Sequence, residues 1–100
     1  MMAAIRKFSI GSLRFEEGSR VVLRADGSPT RLSFKEYVVM HELCTTGRLR
    51  TQITRNAHNL IYRLRKKLGL DAHIVVDWRD GYRLLNVIEE QDTADHGRPA

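Results

Sequence analysis

Ala57, Leu60, Ile61, Leu64 and Leu68 recur three and four residues apart. At 100° per residue they fall in one arc, the signature of an amphipathic helix. Arg55, Asn59, Tyr62, Arg63 and Lys66 fall in the opposite arc. The helix is predicted to start near Thr54 or Arg55, to run to Leu68 and to stop at Gly69. Its charge is one-sided. From Arg48 to Lys67 the chain has seven Arg or Lys and no Asp or Glu. The whole chain carries a formal charge of +5 with a pI near 9.9, but basic charge by itself serves solubility in many small proteins. Its concentration on one segment is the stronger signal, because an electrostatic footprint for an anionic partner is local. From Glu89 onward the balance reverses, with Glu89, Glu90, Asp92 and Asp95 against Arg98.

Ahead of this helix the sequence reads as β-rich. Phe8 and Ile10, then Leu13 and Phe15, alternate with polar neighbours around Gly11-Ser12. Glu17-Gly18-Ser19 and Asp26-Gly27-Ser28-Pro29 are turn signals, with Val21-Val22-Leu23 between them and a short strand at Thr30 to Leu32 after them. Ser33-Phe34-Lys35-Glu36 is a capping box that opens a helix, and Leu32 and Tyr37 are placed for a hydrophobic staple. Tyr37, Met40, Leu43 and Cys44 form the apolar face of that helix, and Gly47 follows it as a C′ residue. Arg48 to Ile53 alternates as a very short strand would, though a helical turn is also open. Ile74-Val75-Val76 and Tyr82-Arg83-Leu84-Leu85 pair as a hairpin around Trp78-Arg79-Asp80-Gly81. After Ile88 the chain turns polar and acidic, so 89–100 is expected to be a mobile tail.

One hundred residues with 42% hydrophobic content are enough for one domain with a modest core. The single cysteine, Cys44, excludes an internal disulfide and points to a reducing compartment or to indifference. Its place in an apolar helical run makes it a small buried side chain. No apolar run is long enough to span a membrane and no signal-peptide core opens the chain, so a cytoplasmic protein is expected. His41, His58, His73 and His96 have no metal-ligand spacing with one another or with Cys44. There are no paired carboxylates, no Ser/His/Asp arrangement and no Gly-rich phosphate loop. Neither a catalytic site, a metal nor a cofactor is expected.

Three motifs together resemble a known family. Leu32-Ser33-Phe34-Lys35-Glu36-Tyr37 after the strands, Ile61-Tyr62-Arg63-Leu64-Arg65-Lys66-Lys67-Leu68-Gly69, and Val76-Asp77-Trp78-Arg79-Asp80-Gly81-Tyr82-Arg83-Leu84 resemble, in this order, the C-terminal winged-helix effector domain of OmpR/PhoB-type response regulators. The resemblance covers Phe8 to Leu85. It implies an α+β winged helix: an N-terminal antiparallel sheet, two main helices and a C-terminal β-hairpin, over residues 1–88. The resemblance also shows departures. Only Arg48 to Thr54 stands where the family has a middle helix and its loop. The family's phosphoacceptor receiver domain is not in front, so a standalone regulator is expected. Arg79 replaces a usual wing glycine, and Asp80 adds an acid where phosphate would approach.

The resemblance implies a transcription regulator that places the helix from Arg55 to Lys67 in the major groove of double-stranded DNA. Arg forks onto guanine or phosphate, Asn pairs with adenine, and Lys and Tyr hold phosphates. The candidate contacts are Arg55, Asn56, His58, Asn59, Tyr62, Arg63, Lys66 and Lys67 on the helix, with Trp78 and Arg79 on the wing. Arg63 and Asn59, at the centre of the polar arc, are the base readers; Lys66 and Arg55 mainly hold phosphate. Lys67 and Arg65 lie toward the flanks and are expected to be phosphate or surface groups. The bland reading of the same arc is a solvated helix face. Trp78 either enters a groove or plugs the core beneath the wing. Without a middle helix, Leu49, Ile53, Ala57 and Leu60 are expected to have thin cover, which either closes within the chain or is covered by a second copy. A homodimer is the expected outcome. The rival function is a protein-interaction module acting on RNA polymerase or another regulator through that same gap.

Overall fold

The computed structural model describes residues 5–50, 56–77 and 81–90. It is an α+β fold of two helices and two antiparallel sheets. Strands β1 (Lys7–Ile10), β2 (Leu13–Glu16), β3 (Val21–Leu23) and β4 (Pro29–Arg31) follow one another as hairpins. Period-2 alternation turns Phe8, Ile10, Leu13, Phe15 and Val22 inward, where each is 1% exposed or less. Ile10 pairs with Leu13, so Gly11-Ser12 is a two-residue turn. Its conformation needs glycine: Gly11 has φ +60°, and a Cβ there would lie 2.8 Å from the Asp71 carbonyl oxygen.

Helix α1 (Phe34–Thr46) begins where the capping box placed it. The Glu36 N–H donates to Ser33 Oγ at 3.2 Å, and the Ser33 N–H donates to Glu36 Oε1 at 2.8 Å. Gly47, at φ 83°, ends the helix in the left-handed region. Val39, Met40, Leu43 and Cys44 are buried. Tyr37 is only partly so, and its hydroxyl accepts from the Gly18 N–H at 2.8 Å. Burial pushes the Cys44 thiol up to about 12, so it is an inert core group at neutral pH.

Over Arg48–Arg50 the strand alternative is the one realised; Thr51 to Ile53 lie outside the described residues. Strand β5 (Arg48–Arg50) pairs with β7 (Gly81–Leu84), which also pairs with β6 (Ile74–Asp77), to give a three-stranded sheet in the order β5-β7-β6. Helix α2 (Ala57–Leu68) lies between β5 and β6 in the chain and buries Ala57, Leu60, Ile61, Leu64 and Leu68, the five residues of the predicted stripe. It starts later than the periodicity predicts, because Asn56 sits at φ 60°, ψ 26°. A right-handed helix cannot continue through that conformation, which asparagine tolerates better than most residues.

Two expectations are corrected. The thin cover over the missing middle helix is not found: Leu49 and Ala57 are 2% exposed and Leu60 is 4% exposed within the single chain. Leu49 stands opposite Tyr82 in the β5–β7 pair, so the hairpin closes over the region through β5. Ile53 lies outside the described residues. The tail does not begin at Glu89. Val87–Glu90 form β8, the edge strand beside β1, completing a five-stranded sheet in the order β4-β3-β2-β1-β8. Glu89 takes a two-pronged contact from Arg6 at 2.8 Å per bond, and Glu90 accepts from Ser9 Oγ at 2.8 Å and Arg14 at 3.3 Å. A strand anchored by cross-strand ion pairs lacks the apolar alternation by which strands are read from sequence.

The β1–β2 turn docks on the 3-10 turn Gly69–Asp71 that follows α2. Ser12 Oγ donates to Asp71 Oδ2 at 2.7 Å, and Asn86 Nδ2 donates to the Asp71 carbonyl at 2.6 Å. Gly11→Ala should therefore lower stability by about 1–3 kcal/mol, through a strained φ and a clash with backbone, in a denaturant titration. A Ser12→Ala control, which loses one exposed hydrogen bond, should cost less than about 1 kcal/mol.

Candidate nucleic-acid interface

Helix α2 distributes its cations between two tasks. Lys67 turns inward. Its Nζ donates to Glu36 Oε1 at 2.6 Å and to the Arg31 carbonyl at 2.9 Å. Arg65 Nη2 donates to the Ile74 carbonyl at 2.8 Å, and its guanidinium lies 5.9 Å from the Tyr82 ring centroid. Arg24 Nη2 donates to the Lys67 carbonyl at 2.6 Å, capping the helix C-terminus where positive charge is favoured. Lys67, a candidate contact, is thus engaged within the chain by Glu36 and the Arg31 carbonyl, with its side chain still partly exposed. Helical periodicity puts Lys67 on the flank of α2 and supplies no acid for it, because Glu36 lies on another helix.

His58 is similarly engaged. Its Nδ1 is hydrogen-bonded to the Tyr82 hydroxyl, and the two rings meet edge to face at 5.5 Å. The bond satisfies the polar tip of a buried tyrosine and fixes the first turn of α2 on β7. Asn56 is exposed at the helix start, and its side chain makes no capping hydrogen bond.

Asn59, Tyr62, Arg63 and Lys66 remain exposed on one face, spaced as i, i+3, i+4 and i+7. Tyr62 is 60% exposed, and the Lys66 ammonium lies over its ring at 5.1 Å. Among the described residues, Asn59 and Arg63 have no side-chain partner. This face therefore presents an amide, a phenol, a guanidinium fork and an ammonium, with no carboxylate anywhere on the helix. Such a surface suits an anionic polymer bearing hydrogen-bonding groups. Arg55, Trp78 and Arg79 lie outside the described residues. The two strands that lead to Trp78, β6 and β7, are in register through Asp77 opposite Gly81.

Among the described residues, no cluster of His, Cys, Asp or Glu could hold a metal ion, and no helix is long and apolar enough to cross a membrane. Compared with family models, curated proteins and solved structures, the chain matches none.

Glu36 is the buried acid on which this electrostatic arrangement turns, at 2% exposure. Burial raises its carboxyl, but the hydrogen bond and charge of Lys67 and the Ser33 N–H outweigh burial and hold it below the usual carboxylate range. A lowered folded value means that its stabilising contribution is complete above the ordinary carboxylate pKa of about 4.3 and is lost as pH falls through the folded value. Lys67→Met should cost about 2–3 kcal/mol at neutral pH, discounted for the partial exposure of Lys67. In that variant the contributions of Lys67 are lost while the Ser33 hydrogen bonds remain, so burial weighs more heavily, the Glu36 carboxyl rises, and the deficit relative to the parent should shrink as the pH is lowered from 6 to 4. Thermal melts of both proteins across that range check the sign.

Proposed function

We propose that this chain is a winged-helix DNA-binding regulator of transcription, with the exposed face of α2 entering the major groove and the β6–β7 hairpin acting as the wing. The observation that carries the reading is the Asn59, Tyr62, Arg63, Lys66 face. Its groups are solvent-exposed and free of acids, while the neighbouring cations Arg65 and Lys67 are retained for the fold. A face serving solubility alone needs no such separation. Arg63 and Asn59 are the base readers, by forked contact to guanine and paired contact to adenine. Lys66 and Tyr62 hold backbone phosphates. The order of sheet, capped helix, basic helix and hairpin supports the resemblance to the OmpR/PhoB-type effector domain, with β5 in the place of the middle helix.

Four side chains read few base pairs. Two copies on adjacent half-sites would supply the reach a useful site requires. The interaction-module alternative calls for an uncovered groove around Leu49 and Ile53; Leu49 is buried within the chain, and Ile53 lies outside the described residues.

Sites selected from random duplexes, followed by titration at several salt concentrations, test the proposal. Affinity should fall at least about tenfold from low to physiological salt, through release of counterions by a few phosphate contacts. Arg63→Ala should cost about 1–3 kcal/mol on the selected site and relax its sequence preference. Lys66→Ala should weaken all duplexes alike and reduce the salt slope by about one. No duplex binding at low salt, or an unchanged preference in both Arg63→Ala and Asn59→Ala, would overturn the assignment.

A further inference from the structure

A second basic surface lies away from the exposed face of α2. A cavity of about 660 Å³ opens between the β3–β4 hairpin and the start of α1, lined by Arg20, Val21, Arg31, Leu32, Ser33 and Lys67. We propose that it binds a phosphate group, as a site separate from the candidate groove-reading face. The proposal does not depend on the DNA reading.

The register of the hairpin brings the cations together. Val21 pairs with Arg31, and the Leu32 N–H donates to the Arg20 carbonyl at 2.7 Å. Arginines eleven positions apart in sequence therefore lie at one end of the same strand pair. Lys67 reaches in from α2 and closes the third side through its bond to the Arg31 carbonyl.

The charge of this hollow is not balanced internally. Its lining contains three cations and no acid. Glu36 compensates only Lys67; its carboxylate is buried and turned toward Lys67 Nζ and the Ser33 N–H. Among the described residues, the Arg31 guanidinium has no acidic partner, and that of Arg20 has only the Phe34 ring, 5.5 Å from the centroid. Stacking on an aromatic face holds a guanidinium in place while leaving its edge N–H groups to donate. The Ser33 hydroxyl accepts from the Glu36 N–H and keeps its own proton available. Two guanidinium forks and a hydroxyl over a floor of Val21 and Leu32 suit a tetrahedral oxyanion, which offers several acceptors to planar donors. The hollow is open to solvent, which leaves room for the group that carries the phosphate.

The test is a titration of the full chain with pyrophosphate, followed by amide NMR shifts, with sodium chloride at matched ionic strength as the control. Saturable shifts at residues 20–21 and 31–34 in pyrophosphate, absent in chloride, are expected. Arg20→Gln and Arg31→Gln, which retain chain length, should each weaken binding by about tenfold or more, since each removes a charged donor. Non-saturable shifts that follow ionic strength alone, or equal binding by both Gln variants with unchanged melting temperatures, would overturn the proposal. A duplex arm identifies the source of the phosphate. If the Gln variants lose duplex affinity and pyrophosphate competes with the duplex, the phosphate belongs to the nucleic acid backbone. If they retain it, the phosphate belongs to a free compound.

Discussion

The bond between Lys67 and Glu36 ties together elements that the chain places far apart. Glu36 completes the capping box that starts α1, so its position is set by local sequence. Its carboxylate is then buried where the last turn of α2 arrives, and Lys67 neutralises it there. The same ammonium reaches the Arg31 carbonyl at the end of β4. One lysine therefore joins both helices and the large sheet, and reinforces the rotation of α2 that its buried stripe of Ala57, Leu60, Ile61, Leu64 and Leu68 sets. A buried carboxylate without this partner would be costly, and breaking such a pair destabilises more than forming it stabilises.

That rotation determines which side of α2 meets solvent. With Lys67 held inward, Arg65 falls beside β6 and Tyr82, and His58 meets the Tyr82 hydroxyl. The angular spacing of the helix then presents Asn59, Tyr62, Arg63 and Lys66 outward as a set. Fold and proposed function are thus linked through one helix: Arg65 and Lys67 bind other elements of the chain, while Arg63 and Lys66 stay on the exposed face. The two arginines at the mouth of the β3–β4 hollow are likewise exposed, in a separate location.

Closure of the core beside α2 is made by strand pairing. A short strand after α1, Arg48–Arg50, adds to the C-terminal hairpin and brings Leu49 against Tyr82. Backbone hydrogen bonding makes this economical, because β5 satisfies its polar groups on β7 while burying its one apolar residue. At the far edge β8 joins the large sheet by backbone pairing, supported by exposed ion pairs that are individually weak.

The sequence by itself determined the local elements. Alternation around Gly11-Ser12, the Ser33 to Glu36 capping box, the stripe from Ala57 to Leu68 and the two arms of the hairpin are all encoded by neighbours within a few residues, and each forms where that pattern places it. The exposed arc of α2 was legible for the same reason, since helical periodicity alone separates Asn59, Tyr62, Arg63 and Lys66 from the buried stripe. Tertiary structure decided the rest. Whether Lys67 serves a ligand or Glu36 depends on a residue thirty-one positions away. The left-handed Asn56 that delays α2 has no unique local signature. Glu89 and Glu90 read as tail because their strand is specified by Arg6, Ser9 and Arg14 at the opposite end of the chain. Periodicity reports which way a side chain faces on its own element; it carries no information about which charge, edge or carbonyl another element will bring to meet it.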